Sequence, residues 1–531
     1  MAALFWVTGG TGNWNSASNW ALTSGGVGGI AVPSSLDTAR FDANSGAGVA
    51  TLDISPDIQT LNCSGFTGTL AFETNTISLN STGTIFTGAT TMTVTGTPQI
   101  ICTNSSATAR TITPTAVTEA NSISFRVTAG TGTFTMSSTT SIRNIDFTDG
   151  VNPTGYAGVL SFGATVLVYG SVKFSTGMTV SVSGSALTFA ATSGTQSFTT
   201  NGVLFDRPVI QNSLGATLQL QDNLTMGSTR TFTLTAGTLD LVTRTLSSGL
   251  FNSNNSNTRA IAFGTGNITV VRDNATIWNT ATSTNLTYTG TPTVNFTYAG
   301  ASGTRTIAAG NTAGGSEAVA ISFNIAAATD TVNLSIGSHV KNLTFTNFTG
   351  TAGLDYIAWG NLTLSAGMII SGSNNGPIFS ATTGTTAITT NAVTFDSALT
   401  FNGAGGTFAF QDALTQGSTR AFTIANGTVK LKAGATSTMG LFAANNANTK
   451  SLQSTTPGSQ ATISQASGTV TVADLTIRDS NAVGGASWTA YADYENTDAG
   501  NNDGWNFGLS PPYASYEPPI IIRSFTQPRR F

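Results

Sequence analysis

The chain reads "QDNLTMGSTRTFTLTAGTLDL" from Gln221 to Leu241 and "QDALTQGSTRAFTIANGTVKL" from Gln411 to Leu431, 190 positions later. In both, apolar residues alternate with Thr, Ala and Asn, the period-2 pattern of a strand with one buried face. The echo continues outward. "MTVTGTP" at Met92–Pro98 returns as "LTYTGTP" at Leu286–Pro292, and "ISF" at Ile123 returns at Ile321. "IRNIDF" at Ile142–Phe147 returns as "VKNLTF" at Val340–Phe345, and "YGSVKFSTGM" at Tyr169–Met178 as "WGNLTLSAGM" at Trp359–Met368. "NGVLFD" at Asn201–Asp206 matches "NAVTFD" at Asn391–Asp396, and "LFNSNNSNTR" at Leu250–Arg259 matches "LFAANNANTK" at Leu441–Lys450. The offset drifts between 190 and 198, so small insertions separate blocks that persist. This is a tandem duplication, with repeat unit 1 at 92–285 and repeat unit 2 at 286–478. Residues 51–91 read as a partial repeat, because "IQTLNCSGFTGTL" at Ile58–Leu70 resembles "VKNLTFTNFTGTA" at Val340–Ala352.

Composition bounds the answer further. Of 531 residues, 39% are hydrophobic and only 8% are charged, against roughly 25% charged in an average soluble domain. Thr, Ser, Asn and 59 Gly supply the polarity, while 30 Phe and many β-branched residues argue for a folded, β-rich chain. The net charge of −4 and the lack of a basic run argue against a phosphate-reading nucleic-acid surface. No 18-residue apolar stretch is present, so no membrane-spanning helix is expected. The opening "MAALFWVTGGTGNW" lacks a basic n-region and an apolar core, so no secretory signal is expected either. Two cysteines, Cys63 and Cys102, make no disulfide framework or metal pattern and read as buried small residues.

Short strands, frequent turns and a long repeat fit a parallel β-helix or β-solenoid; tandem β-sandwich domains are the alternative. A Gly-Thr corner followed by an apolar-x-apolar strand recurs at Gly68, Gly132, Gly237, Gly406, Gly427 and Gly468. Low charge favours the solenoid, because stacked coils place equivalent residues above one another and like charges there repel. Coils of about 20–25 residues are expected.

The ends differ from the middle. Residues 1–50 hold Phe5, Trp6, Trp14 and Trp20 among Gly and Asn. This reads as a cap or attachment region over the first coil, the alternative being an aromatic sugar-binding platform. Residues 479–508 form a second aromatic, Asx-rich cap. Its oxygen donors Asp493, Glu495, Asp498 and Asp503 are a candidate Ca²⁺ site, without the spacing of an EF-hand. Residues 509–531 read as a Pro-rich extended arm, whose Ile520, Ile521, Ile522, Phe525, Arg529, Arg530 and Phe531 are expected to dock on a partner.

Catalytic signatures are sparse. His339 is the single histidine and lies where the earlier copy has Ser141, which points to a surface position. The carboxylates that recur are Asp206 with Asp396, Asp222 with Asp412, and Glu119 with Glu317. The cations that recur are Arg110/Arg305, Arg143/Lys341, Arg230/Arg420 and Arg259/Lys450. Charges kept in both copies are expected to be internal pairs, with Asp222 bridging to Arg230 and Asp412 to Arg420. No catalytic residue and no cofactor is assigned.

The units carrying "GTRTI", "SNTRAIAFGTGNITV" (Ser256–Val270) and "GSTRTFTLTAGTLDL" resemble tailed-phage virion proteins of the tail-fibre, spike or surface-decoration type. The start, "WVTGGTGNWNSASNW" with "VPSSLDTARFD", also resembles β-helical adhesin passenger regions of bacteria. The virion resemblance implies a structural, non-enzymatic protein assembled in the host cytoplasm and carried on the extracellular particle. It implies other virion proteins as partners, a homo-oligomer (a trimer by analogy) and attachment to host-surface glycan. A secreted or cell-surface adhesin is the second expectation and a tailspike polysaccharide depolymerase the third.

Overall fold

The computed structural model describes residues 2–510, apart from positions 8, 116, 138, 373 and 374. The fold is a parallel β-solenoid of about 21 turns. Its helical content among the described residues is confined to single 3-10 turns such as Glu119–Asn121 and Glu317–Val319. The chain separates into two compact units, one of residues 1–379 with 389–393 and one of residues 380–388 with 394–531. That division falls inside the second sequence repeat.

The first unit begins with three sheets around one core. A nine-stranded sheet runs from Trp20–Ala21 and Ala3–Trp6 through Thr38–Arg40 and Thr60–Asn62 to Thr179–Val180. A second holds Gly12–Asn13, Val49–Thr51, Thr69–Ala71 and Thr93–Thr95, and a third starts with Asp57–Ile58 and Ile77–Leu79. Each coil gives one strand to each face, and each strand pairs in parallel with its equivalent in the next coil. In the second unit the strands Thr394–Phe395, Thr415–Gln416, Thr436–Met439, Ala461–Gln465 and Ser480–Gly484 form a five-stranded parallel sheet. Thr469–Thr471, Ser487–Thr489 and Trp505–Asn506 form a three-stranded one.

Coil length varies more than the repeat suggested. Trp488 pairs with Trp505, 17 positions on, Val209 with Phe232, 23 on, and Thr276 with Thr306, 30 on. Loops between strands absorb the difference while the strands keep register.

The strands that lead into the opening echo also match in backbone detail. Val209–Leu220 and Leu399–Phe410 are both 12-residue strands with nearly the same alternation of buried and exposed positions. Both break register at one asparagine, Asn212 and Asn402, where each strand turns a corner between two flat stretches. The next coil needs glycine at that corner. Gly237 and Gly427 have φ of +85° and +81°, and a Cβ would stand 2.1 Å from the Ser213 carbonyl oxygen and 2.3 Å from that of Gly403. Only glycine meets both conditions without strain.

Rows of like residues hold the coils together. Inside, Phe232, Phe251 and Trp278 occupy one register column, with ring centroids 5.9 and 4.5 Å apart and planes within 13°. In the second unit Phe422 stacks on Phe442 at 5.6 Å. Each such pair contributes about 0.5–1.5 kcal/mol beyond burial. Outside, the rows are polar: Thr60 donates to Thr38 at 2.9 Å, Thr113 and Ser137 lie 2.6 Å apart, and Asn324 donates to Asn295 at 3.3 Å. Small neutral groups tolerate this stacking where charges would repel.

The N-terminal tryptophans close the first coil from within. Trp6, Trp14 and Trp20 are fully buried and pack around Phe41 at 5.6–5.8 Å. Buried indoles do not offer a flat ligand platform. Phe5 is half-buried under the Arg40 guanidinium. Ala3–Trp6 pairs antiparallel with Trp20–Ala21 on one side and parallel with Thr38–Arg40 on the other.

Candidate functional site

One set of recurring charges does form internal pairs in both copies, with a partner different from the expected one. Arg230 Nε donates to Asp206 Oδ1 and Arg420 Nε to Asp396 Oδ1, each at 2.7 Å. The partners are 24 positions apart, one coil, not eight positions around a turn. Asp222 instead accepts from the backbone N–H groups of Thr200 and Asn201 and closes that turn. The bond from Arg420 holds the Asp396 carboxyl below its ordinary value.

Four other repeated cations, Arg259, Lys450, Arg110 and Arg305, are buried and solvated by protein. Arg259 donates to the carbonyls of Asn257 and Thr284 at 2.9 and 2.7 Å, and to that of Ser253. Lys450 donates to those of Asn446 and Asn448. Both therefore tie down the Asn-rich loop that precedes them. Arg110 and Arg305 have no exposed surface. Arg305 binds Asp330 at two points, whereas Arg110 has carbonyls of Asn104 and Ala129 and the rings of Phe134 and Tyr156. Asp330 aligns with Gly132, so the first copy has no carboxylate to offer there, and the internal-pair expectation fails for Arg110.

The expected surface position of His339 is also corrected. It is half-buried, accepts a 3.0 Å hydrogen bond at Nδ1 from Trp359 Nε1 and stacks on that indole. Burial lowers its pKa. Its counterpart Ser141 is buried outright. Cys63 and Cys102 are buried free thiols, as expected from composition.

The four acidic residues near the C-terminus each serve a local turn or contact. Asp493 accepts from the Ser510 backbone N–H and hydroxyl, Asp498 from Gly500 and Asn502, and Asp503 from Gln460. Glu495 sits in the left-handed region at φ +58°. Among the described residues no three His, Cys, Asp or Glu side chains converge as metal ligands. Ile520, Ile521, Ile522, Phe525, Arg529, Arg530 and Phe531 lie outside the described residues.

The duplication also builds a concave site twice, both times within the first unit. In the first copy a groove of about 430 Å³ is lined by the Gly96-Thr97-Pro98 turn, Ser124, Arg143 and Asn144. In the second, a groove of about 840 Å³ is lined by Gly290-Thr291-Pro292, Ser322, Lys341 and Asn342. These residues correspond one to one, while Tyr288, Ser316, Glu317 and Ala318 line only the larger groove and Thr74 and Thr76 only the smaller. Three successive coils contribute: the turn, the strand that carries the serine (Ser124–Val127 or Ile321–Ile325), and the basic-Asn pair. Gln99 registers with Ser124 as Thr293 does with Ser322. The asparagine is fixed identically: Asn144 donates to Ser124 Oγ at 3.0 Å and Asn342 to Ser322 Oγ at 2.9 Å. Each also accepts from a backbone N–H of the following coil, that of Ser171 or Asn361. A 3-10 turn follows in each copy and begins at Glu119 or Glu317.

The two grooves differ in what is left over. Arg143 donates to the Glu119 carbonyl at 3.2 Å, and the Glu119 carboxylate accepts from the Thr192 N–H and hydroxyl. Lys341 and Glu317 are exposed in the larger groove, and neither side chain has a hydrogen-bond or ion-pair partner among the described residues. Both volumes fall in the range of about 300–1,000 Å³ of small-ligand clefts. Sequence comparison singled out all three blocks that converge here. Their meeting was not visible because it depends on lengths of intervening coils.

Comparison of the chain with protein-family models, with curated proteins and with solved structures found no match. The class is defined by the coordinates alone: a parallel β-solenoid built on an internal duplication.

Proposed function

We propose that this chain is a non-enzymatic structural protein of a tailed-phage particle, a β-solenoid fibre, spike or decoration protein that meets host-surface glycan. The observation that carries the reading is the fate of the repeated charges. Asp206 with Arg230, and Asp396 with Arg420, join adjacent coils, while Arg259 and Lys450 hold loop carbonyls. These groups, retained through the duplication, act as fasteners, which is what a scaffold requires and a single active centre does not. The resemblance of the Gly/Thr/Asn-rich units to virion proteins supports the particle as its place.

The test is fractionation. Antibody labelling of purified particles should place the protein on the virion, and removal of residues 509–531 should abolish incorporation if the arm anchors it. Full incorporation of the truncated chain rejects the arm as anchor. Recovery from membrane or medium of uninfected cells, with none on particles, supports a bacterial adhesin instead. Release of reducing ends from host polysaccharide, lost on D206N or D396N, would establish a depolymerase and overturn the structural role of those carboxylates.

A further inference from the structure

The twin grooves are one design in two states. In the first copy the two charged groups that correspond to Lys341 and Glu317 have protein partners. Arg143 bonds the Glu119 carbonyl, and the Glu119 carboxylate is bound to Thr192. In the second copy Lys341 replaces the arginine, and its ammonium and the Glu317 carboxylate are uncommitted in a groove of twice the volume. Between them Ser322 keeps a hydroxyl proton to donate, and Asn342 keeps one N–H beyond its bond to Ser322.

We propose that the Lys341 groove is a binding site for an acidic saccharide and that the Arg143 groove is not. A cation selects the sugar's carboxylate through a charge-assisted hydrogen bond. A carboxylate such as Glu317 accepts from sugar hydroxyls, which a plain anion such as phosphate does not offer. A serine and an amide held in fixed rotamers complete the polar set at low ordering cost. The close Gly290-Thr291-Pro292 turn forms a stiff wall, since proline fixes its own φ. This inference deepens the glycan-meeting reading above and rests on it only for the biological source of the saccharide.

Isothermal titration of the full chain against a panel of acidic oligosaccharides (uronate and sialylated), neutral oligosaccharides and inorganic phosphate tests it. An acidic member is expected to bind at one site per chain, more weakly as salt rises. K341A should weaken it about tenfold or more, the loss of one bond to a charged group. E317Q should weaken it less, and R143A should change it less than about twofold. Thermal unfolding of each variant confirms folding. Stoichiometry of two, equal losses in R143A and K341A, phosphate binding as tight as the saccharide, or no binding of any acidic member at millimolar concentration each overturns the proposal. Particle labelling is read separately, so failure here leaves the virion reading standing, and failure there leaves this one standing.

Discussion

Arg305 and Asp330, 25 positions apart in adjacent coils, form a fully buried ion pair through two bonds of 2.6 and 2.8 Å. The Tyr298 ring lies 5.4 Å from the guanidinium. Water reaches neither side chain, and Asp330 holds Nε and Nη2 of the guanidinium while Nη1 has no partner among the described residues.

That arrangement makes the pair asymmetric to mutation. D330N leaves a buried guanidinium without its counter-charge and should lower stability by about 3–5 kcal/mol. The double replacement R305M/D330L should cost less than D330N alone, because it removes both desolvation penalties. Chemical denaturation of the single and double variants measures the difference. A D330N protein as stable as wild type would rule out the pairing.

Acid should loosen the fold in two stages. His339 has a pKa lowered from its ordinary 6.5 by burial. The unfolded chain therefore takes up a proton first, and stability begins to fall as pH drops below 6.5 and continues through the folded value. Asp396, lowered from 3.8 chiefly by the Arg420 bond, contributes above 3.8 and loses that contribution as pH falls through its folded value. H339N, which keeps an acceptor for Trp359, should flatten the stability profile below pH 6.5 and leave the lower stage intact. D396N should do the reverse. Thermal midpoints over the pH series report both.

Trp14 and Trp20 predict a graded pair of effects. Trp20 Nε1 donates to the Trp14 carbonyl at 2.8 Å, whereas Trp14 Nε1 has no partner among the described residues. W20F should therefore cost more than W14F, by about 1–3 kcal/mol for the orphaned carbonyl. Denaturation followed by hydrogen exchange over the first coils distinguishes them.

Glycines at positive φ should divide by what surrounds them. G237A meets both a left-handed φ and the Ser213 carbonyl, while Gly83, at φ +70°, has open space around it. G83A should cost about 1–2 kcal/mol, and G237A clearly more. Equal thermal shifts would show that the corner at Ser213 yields.

Burial pushes the Cys63 and Cys102 thiols up to about 12. In the native protein neither should react with a disulfide reagent at pH 8, and both should react on unfolding.

The solenoid was legible because its signal is repetitive: an alternating strand and its copy 190 positions on state the same packing twice. The charge partners were legible as charges and misassigned as pairs. Arg230 was matched with Asp222 across a turn, since turn neighbours are near in sequence. In stacked coils the near neighbour is one circuit away, which brings Asp206 to it. Coil length runs from 17 to 38 positions, so no fixed spacing reveals such contacts. His339 was misplaced for a related reason. Its copy, Ser141, is small and polar, and a buried serine in a tight column looks like a surface one in sequence. The grooves needed three coils to be aligned, which only coordinates provide.

The reversed strand at the beginning has a consequence for growth. Parallel coils end in a row of unmet backbone donors and acceptors, a template onto which another molecule can add without limit. Trp20–Ala21 runs against that direction beside Ala3–Trp6, and two residues in the wrong sense cannot propagate the winding. The edge of that sheet therefore offers no parallel template to a further copy, which gives its winding a direction before it meets a first neighbour.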